Sequence, residues 1–167
     1  SEVPRRYLLR IRPQPSAGAT ETDIDLFAYP GNLPERLRAT AAALERSGGV
    51  IGVFGPGSTV KPLLRAWQVP FVDYDAYDRR VSLAIGDFIG KELDLAKLPE
   101  SAAERTLFLT AAPQYGIPGD VVRTDIVGSR KTVFASEAAW TALATNPAAQ
   151  FHFFTLLSET LPPTSTP

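Results

Sequence analysis

The sequence predicts an α/β fold: a three-layer sandwich with a mainly parallel sheet, flavodoxin-like or Rossmann-like in outline, and an antiparallel hairpin at one edge. Three observations predict it. Strand-like and helix-like segments alternate from residue 24 to residue 110. Several strands are unbroken apolar runs bounded by glycine or proline, as in Val50–Phe54, the pattern of a strand buried on both faces. The chain has 167 residues, 44% of them hydrophobic, enough for one domain with its own core over residues 1–161 and a Pro-rich tail at 162–167.

Tyr7–Ile11 is a short strand, stopped by Pro13 and Pro15. Ile24–Tyr29 is the next, stopped by Pro30 and Gly31. A helix comes after it, with Asn32 as N-cap and Pro34 in the first turn, where a missing N–H costs little. Leu33, Leu37, Ala41 and Leu44 form its apolar face. After the Val50–Phe54 strand, Gly55–Thr59 turns the chain into a second helix carrying Leu63, Leu64 and Trp67. Val69–Asp73 reads as a strand. Val81, Ile85, Phe88 and Ile89 then recur at helical spacing, so a helix is expected from Asp78. Thr106–Thr110 is another buried-type strand. Val121–Val127 and Lys131–Ala135 make a hairpin around Gly128 and Ser129. Ser136 is expected to cap a helix reaching Thr145, which Pro147 breaks. Phe151, Phe154, Leu157 and Leu161 fit a last helix, with a strand at 150–157 as the alternative.

Composition excludes several functions. Lys and Arg number 17 against 18 Asp and Glu, a net charge of -1, so there is no basic excess for nucleic acid. No apolar run reaches the roughly 18 residues of a membrane helix. Cysteine is absent, which removes disulfides, zinc–thiolate sites and thiol catalysis. The lone histidine, His152, rules out multi-histidine metal sites. Methionine is absent too and residue 1 is Ser; with Pro-rich ends, this fits an exported chain in the periplasm or another extracytoplasmic space, with a trimmed cytoplasmic protein as the alternative.

Ligands of open α/β sheets bind beyond the carboxyl ends of the strands. Tyr29 and Asn32 come after the first such strand. Gly55, Gly57, Ser58 and Thr59 come after the second, Asp73, Tyr74, Asp75 and Tyr77 after the third, and Gln114 and Tyr115 after the fourth. A rim of Tyr, Asp, Asn and Gln around a glycine-lined turn suits a small polar ligand. The same residues are also ordinary turn formers. Gly55–Thr59 can either present N–H groups to an anion or simply cap a helix. It is neither a Walker loop nor the full dinucleotide fingerprint, and Ser58 lacks the nucleophile-elbow context. The acidic run Asp73–Asp78 lacks the glycine and terminal glutamate of a calcium loop. No metal and no cofactor is expected, and His152 as a general base would need a partner from elsewhere.

Residues 50–72, from Val50-Ile51-Gly52-Val53-Phe54-Gly55-Pro56-Gly57-Ser58-Thr59 to Val69-Pro70-Phe71-Val72, resemble one lobe of type I periplasmic binding proteins and related receptor domains. There a strand ends in Gly-Pro-x-Ser/Thr, a helix comes next, and the next strand opens with Val-Pro. The resemblance implies that Ser58 and Thr59 touch ligand, with Asp73 to Tyr77 on the neighbouring loop. That family closes two lobes over its ligand, and 167 residues make one.

The expected function is a non-enzymatic extracytoplasmic domain that binds a small polar ligand or a protein partner, as a sensory or accessory part of an envelope system, with a homodimer possible. The alternatives are a hydrolase or transferase using Ser58 or Asp73/Asp75, and a purely structural interaction domain.

Overall fold

The computed structural model describes residues 4–11, 22–74, 80–91, 103–111 and 121–161. The chain divides into two compact units, Ser1–Asn32 and Leu33–Pro167.

The first unit is a hairpin. Strand β1 (Arg5–Ile11) pairs antiparallel with β2 (Thr22–Ala28), with Tyr7 opposite Leu26 and Leu8 opposite Asp25. Both strands were expected, but β2 was expected in the parallel sheet. It belongs instead to a separate two-stranded sheet. Sequence periodicity reports that a segment is a strand and says little about which strand it meets.

The second unit holds a six-stranded, mainly parallel sheet, so the α/β sandwich with its antiparallel hairpin at one edge is the observed architecture. Its strands are β3 (Val50–Phe54), β4 (Val72–Asp73), β5 (Val81–Phe88), β6 (Arg105–Thr110), β7 (Val121–Val127) and β8 (Arg130–Ser136). They lie in the order β4-β3-β5-β6-β8-β7, and only the β7–β8 pair is antiparallel. Three α-helices accompany them among the described residues: α1 (Leu33–Arg46), α2 (Val60–Ala66) and α3 (Pro147–Thr160).

Helix α1 buries Leu33, Leu37, Ala41 and Leu44, the face its sequence spacing marks. Pro147 starts α3 rather than stopping a helix before it. It sits in the first turn while the Asn146 side chain accepts from Ala148 N and Ala149 N. The helix expected from Ser136 to Thr145 is shorter, a 3₁₀ turn over Ala138–Ala142, because Ser136 remains in β8 opposite Thr110.

The helix expected from Asp78 is the main correction: Val81–Phe88 is a central strand between β3 and β6. The helical stripe was coincidental, because nearly every residue of this run is buried. A strand covered on both faces shows no period that separates it from a buried helix. Gly86 marks the difference: a Cβ there would lie 2.7 Å from the Phe108 ring, so the pleat surface at that point is taken by a neighbouring aromatic.

The core lies on one side of this sheet. Ile51, Val53, Leu83, Ile85, Leu107, Leu109, Val133 and Ala135 pack with the buried faces of α1, α2 and α3 and with Trp140. The other side carries aromatics: Phe108 stacks on Phe134 at 5.0 Å, and Phe54 meets Phe88, Phe108 and Tyr74 edge-on.

Candidate functional site

The parallel strands end together, so β3, β4, β5, β6 and β8 deliver the turns after them to one edge of the second unit. The expected loops at 55–59 and 73–74 therefore lie on neighbouring strands. Tyr29 and Asn32 belong to the hairpin unit. Asp75, Tyr77, Gln114 and Tyr115 lie outside the described residues.

At the end of β3 the loop is organised by a side chain that carries no motif in the sequence, Asp87. It is 1% exposed. Its Oδ2 accepts from Thr59 N and Val60 N, both at 2.8 Å, and Oδ1 accepts from Ile89 N at 3.2 Å. Its backbone oxygen accepts from Gly57 N at 2.8 Å. Thr59 itself makes no side-chain cap, so Asp87 from the adjacent strand caps α2. The two glycines make this contact possible. A Cβ on Gly57 would lie 2.0 Å from Asp87 Oδ1, and one on Gly55, at φ +100, 2.5 Å from Asp87 O. Of the two uses open to Gly55–Thr59, the described geometry is the internal one: a carboxylate of the chain itself takes the N–H groups that a bound anion would use. Ser58 remains exposed at the tip.

Asp73 and Tyr74 are placed differently. Asp73 projects outward and pairs with Lys61 Nζ at 2.6 Å. That lysine holds its carboxyl below the usual Asp range, by hydrogen bond first and by charge second. Tyr74 turns onto the aromatic side of the sheet, with its ring 5.5 Å from Phe54 and its hydroxyl accepting from Ala103 N. Its N–H continues the strand by donating to Val53 O.

At the far end of the same edge, Glu137 comes directly after β8 and its Oε1 lies 2.7 Å from His152 Nδ1 on α3. The imidazole also lies 5.4 Å from the Trp140 ring, whose indole N–H donates to Ala135 O. Sequence alone left His152 without a partner, and the fold supplies one. Strands β5 and β6 separate β3, whose following turn carries Ser58, from β8, whose end carries Glu137, so those two strands lie about 14 Å apart. Among the described residues no group of three His, Asp or Glu side chains is gathered for a metal ion.

A broad concavity of about 470 Å³ lies in the hairpin unit, lined by Arg5, Tyr7, Ala28, Tyr29, Pro30, Gly31 and Asn32. It holds two of the sequence-selected residues, Tyr29 and Asn32, and adds Arg5 and Tyr7, which no motif distinguishes. Beside it the hairpin is unusually apolar: Tyr7, Leu8, Ile24, Leu26 and Phe27 are all exposed, Phe27 at 56%. The paired register puts Tyr7 and Leu26 on one face and Leu8 on the other, so both faces carry apolar side chains. An exposed ion pair joins Arg6 and Asp25 at 2.9 Å.

No protein-family model, curated protein or solved structure matches the chain. Among the described residues no helix is long and apolar enough to cross a membrane.

Proposed function

We propose that the chain is a non-enzymatic, extracytoplasmic α/β domain, an accessory or sensory part of an envelope system, that binds a protein partner through its hairpin unit. One observation carries this reading: the hairpin exposes five large apolar side chains, Tyr7, Leu8, Ile24, Leu26 and Phe27. Two strands alone are marginal in water, and an apolar surface on such an element is the signature of an interaction site. The strand-end edge supports the non-enzymatic half of the reading. Its glycine loop is closed by Asp87, and the described partner of His152 is Glu137, next to β8 rather than next to the turn that carries Ser58. The extracytoplasmic half is supported by composition, which contains neither cysteine nor methionine, the two side chains most readily oxidised.

A second reading, a small polar ligand, is favoured by the concavity beside the hairpin. Arg5 would meet an anionic group, Tyr7 and Tyr29 would stack or donate, and Asn32 would orient it. Under the periplasmic-lobe resemblance the ligand would instead approach Ser58.

One paired experiment separates them. Envelope extracts are captured on wild-type protein and on the Leu8→Ser/Phe27→Ser variant, while wild type, Arg5→Ala and Ser58→Ala are screened for thermal shift against small carboxylates and phosphates. A partner retained by wild type and lost by the double variant supports the first reading. A thermal shift lost in Arg5→Ala supports the concavity, and one lost only in Ser58→Ala supports the lobe resemblance. Equal capture by both proteins overturns the hairpin assignment.

A further inference from the structure

Three further exposed large apolar side chains of the described residues lie on one strand: Val122 at 44%, Ile126 at 68% and Val127 at 76%. That strand, β7, is the outermost of the six, so one of its sides has no ladder partner among the described residues. Proteins usually blunt such an edge with a proline, a lysine, a bulge or extreme shortness. The opposite edge strand, β4, is short, at two residues. Strand β7 has seven residues, no proline and no lysine, and pairs with β8 through seven successive positions without a register shift.

Its sequence has a further property. Val121-Val122-Arg123-Thr124-Asp125-Ile126-Val127 is apolar at both ends, with a base and an acid on either side of a central threonine. An antiparallel copy aligned on Thr124 sets Val122 opposite Ile126, Arg123 opposite Asp125 and Thr124 opposite itself. Every side-chain pair across that two-fold is complementary. The hairpin strands fail the same operation. Alignment of β1 on Leu8 opposes Arg6 with Arg10, and alignment of β2 on Asp25 opposes that carboxylate with its own copy.

We propose that β7 is the self-association edge of the protein: two copies pair β7 to β7, antiparallel about Thr124, and join their sheets across a two-fold axis. An isologous contact of this kind closes on itself and does not propagate. The charged side chains are already arranged for it. Arg123 Nε and the guanidinium's second nitrogen lie 3.0 and 2.5 Å from the two Asp125 oxygens, two residues along the same face. In the pair each guanidinium then stands between its own carboxylate and the partner's, and the four charges alternate. On the opposite face Val122 and Ile126 of one protomer cover Ile126 and Val122 of the other.

Sedimentation of the full chain over a concentration series tests this. Wild type sediments as a dimer. Arg123→Asp makes the strand wholly acidic and Asp125→Arg makes it wholly basic, so each variant alone has a dissociation constant raised about tenfold or more. An equimolar mixture of the two recovers the dimer, and so does the double variant Arg123→Asp/Asp125→Arg, which inverts the pattern but keeps it complementary. Neither substituted position is buried, and urea unfolding of each variant verifies that the fold is intact. The cysteine-free chain allows a direct check of register. Opposed residues of an antiparallel pair have Cα atoms about 4.5–5.5 Å apart, within disulfide reach, so Thr124→Cys oxidises to a covalent dimer. A chain that stays monomeric at about 1 mM overturns the proposal. So does a dimer that survives both single charge reversals, or one in which Thr124→Cys fails to cross-link.

Discussion

The turn after β3 and the hairpin of β1 and β2 are built from similar materials and end in opposite states. Both contain glycine, proline and short polar residues beside apolar strands. In the turn after β3 the backbone donors face inward. Thr59 and Val60 donate to a carboxylate that is 1% exposed, and two glycines clear the space for it. In the hairpin the apolar groups face outward, with Leu8 55% and Phe27 56% exposed. The difference separates structural from interactive surface. Where a polar loop has satisfied its own donors, it has little left for a ligand. Where apolar area is left in water, a contact with something else returns the free energy that folding did not.

This contrast makes ranked predictions about stability. Phe153 is fully buried among the helices, and Phe153→Ala is expected to cost about 3–5 kcal/mol in urea unfolding, against less than about 0.5 for Phe27→Ala. Equal losses would mean that the hairpin face is covered in the folded chain, and the comparison would collapse. Asp87→Ala comes next. It strands the buried N–H groups of Thr59 and Val60 and removes the α2 cap, so a loss of about 3 kcal/mol is expected. Asp87→Asn keeps an acceptor and loses about half as much. Gly57→Ala falls between those two variants at about 2 kcal/mol, because its Cβ can be admitted only by displacing Asp87. A Gly57→Ala protein as stable as wild type would show that the carboxylate clasp contributes little.

Much of the fold was legible because its signals are local. The α1 stripe Leu33, Leu37, Ala41 and Leu44 and the glycine-bounded Val50–Phe54 run are each carried within one element. The strand at Val81–Phe88 was not, because a segment buried on both faces loses the period that identifies it. The miss concealed Asp87. Placed on a helix, an aspartate beside Phe88 is one polar residue on an outer face. Placed on a central strand, an acid within an apolar run requires a buried partner, and the neighbouring β3 turn supplies it. The site shows the same division. Gly55, Gly57 and Thr59 stand out in the sequence as a special turn, yet their contact depends on a residue 28 positions later in the chain. Tyr29 and Asn32 stand out only by their position just past a strand, and the concavity they share with Arg5 and Tyr7 depends on which strand β2 pairs with.

The smallest expected effect concerns the third exposed region, the β7 edge, where charge rather than burial decides. Arg123 holds the Asp125 carboxyl below its ordinary value, chiefly by a side-chain hydrogen bond. A depressed carboxyl contributes stability that is complete above the unfolded-state pKa and is lost as pH falls through the lowered one. The pair is exposed, so solvent screening leaves its intrachain contribution small. Unfolding midpoints should therefore change little from this pair between neutrality and about pH 4, and slightly below that. Association should respond more strongly, because in the β7–β7 pair each protonation removes attraction to two guanidinium groups. The wild-type dimer should thus weaken below about pH 4 while Asp125→Asn is weak at every pH. Sedimentation measured across that window beside circular dichroism distinguishes the two. A dimer fraction that fell in parallel with global unfolding would assign the acid sensitivity to the fold, whereas dissociation of a still-folded chain assigns it to the edge.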